Sequence, residues 1–255
     1  MKRFAKITTR LSIGVLTLLG FALPSEAQTA ETPEPKTQIF ASILYNGGTL
    51  SLTDQRTFTL FAEEGSFAGD WSTGSGGAAF GIGAARTVWR QLSVGAALEI
   101  SNGNPTESFE TRLPHPFFFD QHRSLEGEET SLSYRETAIH VLVGYTKTSS
   151  RVVISVDGGP SYFLTRSDVV GDLTFADNFP FDSVTLLSVE RVTEDANGMG
   201  FNVGGRVSYR VTPILAVGAD LRFSRASVKF TSTGGDEVEF DAGGPRIGAG
   251  VTVTF

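Results

Sequence analysis

The stretch Asp241–Phe255, DAGGPRIGAGVTVTF, decides the fold. Side chains in an extended strand alternate between two faces. One face here carries Pro245, Ile247, Ala249, Val251, Val253 and Phe255; the other carries Gly244, Arg246, Gly248, Gly250, Thr252 and Thr254. A sandwich in water could bury the first face, but it gives no reason for the sequence to stop on Phe255. A transmembrane β-barrel uses all of it: an apolar lipid face, a small or polar lumen face, and an aromatic at the membrane interface.

Upstream, seven more segments alternate over about the ~9–11 residues that a tilted transmembrane strand needs. They start at Gln38 and run over Gly77–Val88, Gln91–Ser101, Ser133–Lys147, Arg151–Leu164, Met199–Val211 and Ile214–Phe230. The connections at Trp89-Arg90, Lys147–Ser150 and Thr212-Pro213 are tight, whereas 46–76, 102–132, 165–198 and 231–240 are long. Strict short–long alternation is the asymmetry of outer-membrane barrels, with short periplasmic turns and long extracellular loops. The sequence therefore predicts an all-β fold, a closed antiparallel transmembrane barrel of eight strands spanning residues 38–255. Ten strands are the alternative, because Arg56–Phe61 also alternates and 50–72 could supply two crossings or a hairpin above the membrane.

Composition agrees. Hydrophobic residues are 40% and mean hydropathy is near zero, as expected of strands apolar on one side only. With no cysteine, disulfides, thiol nucleophiles and cysteine zinc sites are excluded. Lys2, Arg3, Lys6 and Arg10 precede an apolar run from Leu11 to Leu23, shorter than the ~20 residues of a membrane-spanning helix. Ser25-Glu26-Ala27 has small residues where a signal peptidase reads, so residues 1–27 are expected to be a signal peptide cleaved after Ala27. Residues 28–37 read as a flexible leader. The formal charge is −7, and loss of the basic segment makes the remainder more acidic still, which argues against a nucleic-acid partner.

Strands such as GGAAFGIGAA, RQLSVGAALEIS and FNVGGRVSYRV, with the closing GAGVTVTF, resemble the small eight-stranded outer-membrane β-barrel proteins of Gram-negative bacteria, the opacity- and porin-like group. The resemblance covers roughly Gln38 to Phe255 and implies an outer-membrane address, with lipid and lipopolysaccharide as surroundings. It also implies that Phe255 is read by the barrel-assembly machinery as an insertion signal.

Three sets of residues are candidates for function. The lumen parity collects Glu99, Glu136, His140, Asp157, Arg206, Asp220, Arg222 and Arg246. Acids and bases are nearly balanced, as in a ladder of ion pairs filling a narrow barrel; a selectivity ring is the alternative. The loop sequence Pro114-His115-Pro116-Phe117-Phe118-Phe119, echoed by Phe175 and Phe179-Pro180-Phe181, either packs the loops together or marks an interaction surface. Finally, His122-Arg123-Ser124, with Glu126 or Glu128 nearby, has the His-x-Ser spelling of outer-membrane lipid A deacylases, but is expected in a polar loop that fixes no geometry. No cofactor or metal site is legible; acidic loops admit divalent-bridged contact with lipopolysaccharide as a minor reading. The expected function is non-enzymatic, structural or surface-interacting through the external loops. A narrow porin-like pore and a lipid-modifying enzyme are the alternatives.

Overall fold

The computed structural model describes residues 36–74, 77–231 and 237–255; the expected signal peptide and nearly all of the leader lie outside them. Twelve strands and no helix occur among the described residues. They are β1 (Thr37–Asn46), β2 (Ser51–Leu60), β3 (Glu63–Ser72), β4 (Gly77–Trp89), β5 (Leu92–Gly103), β6 (Thr106–Pro114), β7 (His122–Glu129), β8 (Tyr134–Ser149), β9 (Val152–Asn178), β10 (Ser183–Arg210), β11 (Leu215–Thr231) and β12 (Glu237–Thr254).

Eight of them close a ring in the order β1-β12-β11-β10-β9-β8-β5-β4, antiparallel at each junction and sealed where β1 pairs with both β12 and β4. These are the eight crossings expected from the alternation. Their outward side chains are apolar: Ile43 is 70% exposed, and Ile82, Val143, Val156, Val203 and Ile247 are exposed in the same belt. Such a belt would be prohibitive in water and is at home in hydrocarbon. Trp89, Tyr145, Tyr209 and Phe255 ring the short-turn end, where amphipathic aromatics sit at a membrane interface. Arg86, on the lipid parity, pairs with Thr37 at that same end, within reach of headgroups. The backbone of Phe255 is bonded to Thr37 in both directions, at 2.9 and 3.2 Å.

The remaining strands form a second sheet, β2-β3-β6-β7, on the long-loop side. The segment 50–72 is thus a hairpin above the membrane rather than two crossings, which settles the barrel at eight strands. Neither β2 nor β3 has an apolar face suited to lipid: Ser51, Thr53, Gln55, Thr57 and Thr59 point to solvent, while Leu52, Asp54, Arg56 and Phe58 point inward. The segment 165–198, expected as a loop, instead continues β9 and β10 outward as one paired ribbon. At ~3.3 Å per residue, a strand as long as β9 is roughly three times the length needed to cross a bilayer. Register shifts at Leu186/Ser188 and Val189/Arg191 bend the ribbon, as bulges do, and bring Val170, Leu173, Leu186 and Val189 against Phe67 and Phe109 of the second sheet.

Candidate functional site: a sealed lumen and an external β-domain

All eight charged residues assigned to the lumen by parity face it, and seven of them are buried; Asp157 is nearly so. Six of them join into one network around Glu99, and Arg206 with Asp220 forms a separate pair. Arg246 Nη1 donates to Glu99 Oε2 at 2.5 Å and Nη2 to Glu136 Oε1. Arg222 Nε lies 3.0 Å from Glu99 Oε1, and its Nη2 donates to Asp157 at 3.4 Å. Arg206 holds Asp220 through Nε and Nη2 at 3.2 and 3.0 Å. His140 places Nε2 3.5 Å from Glu99 and Nδ1 2.7 Å from the Ser161 hydroxyl. Tyr134 and the Gly243 amide donate to Glu136 Oε2 at 2.8 and 2.9 Å. Charges this deeply buried persist only when paired and hydrogen-bonded, which is how they are found.

The lumen also holds residues that charge counting passed over. Phe40, Ala97 and Leu142 form an apolar patch inside the barrel. The Phe40 ring lies over Gly83, its register partner on β4; a side chain at Gly83 would strike the ring, and Arg206 stacks on it at 3.7 Å. Asn202 fills the gap left by Pro160, which has no N–H to give the ladder. Its Nδ2 donates to the Gly159 carbonyl at 3.0 Å and to Ser161 at 2.9 Å. Above the charges, Leu50, Leu52, Trp71, Leu132, Tyr134, Phe163, Val169 and Val228 pack into a plug. Trp71 hangs down from the external sheet, and its indole N–H donates to the Asp168 carbonyl at 3.1 Å. The signal for these residues was present in the sequence, since Phe40, Leu44 and Phe163 sit on lumen parity. An apolar residue on a polar face, however, has no partner visible in one dimension.

Outside the barrel, the sheet and the β9–β10 ribbon form a small sandwich. Its inward face mixes rings with glycines: Phe58 lies across from Gly65 and Phe109 across from Gly127, and each ring covers its glycine. Arg56 Nη2 donates to the Val170 carbonyl at 2.8 Å, and the Val170 amide donates to Glu107 Oε2 at 2.8 Å. Burial pushes the Glu107 carboxyl up to about 7; the Val170 N–H bond and Arg56 pull against this, while Asp54 adds to it.

At the far tip, the aromatic sequence organises around His115, which is 4% exposed. Its Nδ1 accepts from the amides of Phe117 and Phe118 at 3.1 and 3.2 Å. Arg123 ties the two loops together, donating to the Pro114 carbonyl at 3.0 Å, to the Phe181 carbonyl at 3.3 Å and to Asp177. Phe117 meets Phe181 edge to face at 5.0 Å, and Phe179 meets Phe181 at 6.0 Å. This packing leaves most of the apolar surface in water: Phe117, Phe118, Phe119 and Phe179 are 66, 57, 76 and 88% exposed. Phe175 is not part of the tip; it lines the cleft between sheet and ribbon.

The His122-Arg123-Ser124 sequence lies on strand β7 rather than in a loop, with His122 and Ser124 on its exposed face. Arg123 points inward, while His122 and Ser124 point to solvent, where the His122 ring bonds the Glu64 carbonyl at 3.3 Å instead of the serine. Among the described residues, no cluster of three or more His, Asp or Glu could hold a metal ion.

No protein-family model and no curated protein matches the chain. Solved structures do. Neisserial surface protein A aligns with a TM-score of 0.43 and 15% identity over 86% of this chain and 97% of its own. The outer membrane protein OprG from Pseudomonas aeruginosa gives 0.42 and 9%, over 86% and 95%. The outer membrane protease OmpT from Escherichia coli gives 0.48 and 10%, over 86% and 97%. The chain's own closed ring of eight antiparallel strands and its apolar outer belt make it a transmembrane β-barrel.

Proposed function

We propose that this outer-membrane barrel is a non-enzymatic surface-interaction protein whose spanning part anchors an external β-domain. The observation that carries the reading is the tip: four phenylalanines, more than half exposed, held on two neighbouring turns braced by His115 and Arg123. Exposed, ordered aromatics of this kind serve contacts with apolar or amphipathic surfaces. The filled lumen supports the same reading against a pore, since Arg246, Glu136 and His140 are essentially cut off from water. The His122 ring turns to the Glu64 carbonyl rather than to Ser124, which weighs against the lipid-modifying reading. Insertion through the assembly machinery at Phe255, and contact with lipopolysaccharide around the rim, belong to the same proposal.

The test is adhesion of Gram-negative cells displaying the protein to phosphatidylcholine vesicles and to cultured cells, compared with Phe117→Ser/Phe118→Ser/Phe119→Ser. Loss of adhesion with unchanged heat-modifiable migration supports the tip. Equal adhesion by the variant contradicts it.

A further inference from the structure

One row of side chains at the outer edge of the barrel carries surplus positive charge. Across β5, β8, β9 and β10 the register lines up Asn102, Arg135, Arg166 and Asp195, all exposed on the outward face. Four residues nearer the membrane, the same register aligns Leu98, Ile139, Tyr162 and Met199, which belong to the apolar belt. The two arginines thus stand where hydrocarbon gives way to head groups, with an exposed apolar column directly beneath them.

Arg135 and Arg166 are direct cross-strand partners, an arrangement of like charges that destabilises a sheet unless an anion lies between them. The lumen shows the remedy. Arg222 and Arg246 are also register partners, and there Glu99 bridges them, 3.0 Å from one and 2.5 Å from the other. Among the described residues no carboxylate bridges the outer pair. Asp195 lies 3.7 Å from Arg166 Nε, with these side chains 66 and 73% exposed for the arginine and the acid. Asp168, near Arg166, is held by the Ser133 amide and hydroxyl and by Thr193. Arg135 commits Nε to Asn102 Oδ1 at 3.3 Å. The Nη groups of both arginines are left to an external acceptor, beside a hollow of about 230 Å³ walled by Thr137, Leu164 and Asn197.

We infer that Arg135 and Arg166 together bind a phosphate group of an outer-leaflet saccharolipid of the lipid A class, its acyl chains laid against Ile139 and Tyr162 and its sugar hydroxyls turned to Asp195 and Asn197. Guanidinium groups match phosphate oxygens in pairs, so one phosphate does for this pair what Glu99 does in the lumen. The apolar column below selects a phosphate that carries acyl chains over a free one, and the flanking Asp195 favours a head group with hydroxyls to donate. This rests on the proposed contact with lipopolysaccharide at the rim and gives it residues and a chemical group; the tip and its adhesion are independent of it.

The test titrates the full barrel in detergent micelles with diphosphoryl lipid A, with lipid A stripped of its phosphates and with phosphatidylglycerol, counting bound lipid by native mass spectrometry. Diphosphoryl lipid A is expected to bind saturably, and the other two at least about tenfold more weakly, the range for losing charge-assisted hydrogen bonds. Inorganic phosphate at millimolar concentration should not displace it. Arg135→Gln and Arg166→Gln should each weaken lipid A by about tenfold, while Arg225→Gln, whose charge is already met by Asp241, should leave it unchanged. In the absence of lipid, Arg135→Gln should not lower the urea midpoint, since it relieves the like-charge contact; saturating lipid A should raise the wild-type midpoint above that of the variant. If Arg135→Gln fails to show heat-modifiable folding, Arg166→Lys, which keeps the charge and loses the paired donors, should still weaken binding several-fold. Equal affinity for phosphate-free lipid A, or displacement by inorganic phosphate, would overturn the assignment. Undiminished binding in the arginine variants would overturn this site and leave rim contact standing elsewhere, whereas no binding by the wild type would remove both.

Discussion

The barrel and the domain it carries are built from the same alternating strands and are inside out with respect to each other. In β1, Ile39, Ile43 and Tyr45 face outward, while Ser42 faces in; on the adjoining β12 and β11, Arg246 and Arg222 fill the interior. In β2 and β3, threonines and Asp70 face outward, while Leu52, Phe58, Phe67 and Trp71 face in. Strand β9 undergoes the change within one chain: Tyr162 and Leu164 are exposed to lipid, Arg166 is exposed beyond them, and Val170 is fully buried in the sandwich core. Period-two alternation thus specifies a strand, while the surrounding solvent decides which set is buried. The membrane boundary on the outer side lies where that preference reverses, between Leu164 and Val170.

The contrast can be broken most severely in the lumen. Arg246→Met leaves Glu136 without a cation and Glu99 with Arg222 alone, and should cost about 5 kcal/mol, the upper end for removing one partner of a buried pair. Urea midpoints followed by heat-modifiable migration would show it, and adding Glu99→Gln and Glu136→Gln should restore much of the loss. Trp71→Ala attacks the plug where the two regions meet. Removing that ring should cost about 3–4 kcal/mol by the same assay, mostly as unfilled cavity.

A third effect belongs to the external domain alone. Because the folded Glu107 carboxyl sits at about 7 rather than 4.5, the folded state holds a proton that the unfolded chain releases. Stability should therefore fall as pH rises from about 4.5 to 7, by about 3 kcal/mol, and be flat with respect to this group on either side. Glu107→Gln should remove that decline, as read from thermal midpoints across the same pH range. The smallest effect is expected at the tip. Changing Phe117, Phe118 and Phe119 to Ser should alter stability by no more than about 0.5 kcal/mol, since surface substitutions usually lie in that range.

Much of the barrel was legible because a bilayer forces every crossing to show a continuous apolar face. Parity alone then placed Glu99, Glu136, His140, Asp157, Arg206, Asp220, Arg222 and Arg246 together in the lumen. The external sheet was not legible in the same way. Its strands come from two separate connections, so β3 finds β6 across the intervening barrel hairpin, a pairing that no local pattern announces. The ribbon of β9 and β10 beyond the membrane needs no lipid face, so Asp168, Asp172, Glu190 and Glu194 disguise it as a loop. Phe175 and Phe179 read alike in sequence; only the ribbon's turn separates a cleft-lining ring from an exposed one.

A packed lumen leaves the proposed action of this protein to the domain outside the membrane. Planar-bilayer recording of the purified, heat-modifiable barrel tests it most directly. Current at the lipid baseline is the expected result, whereas stable, uniform conductance steps from the wild-type protein would contradict it.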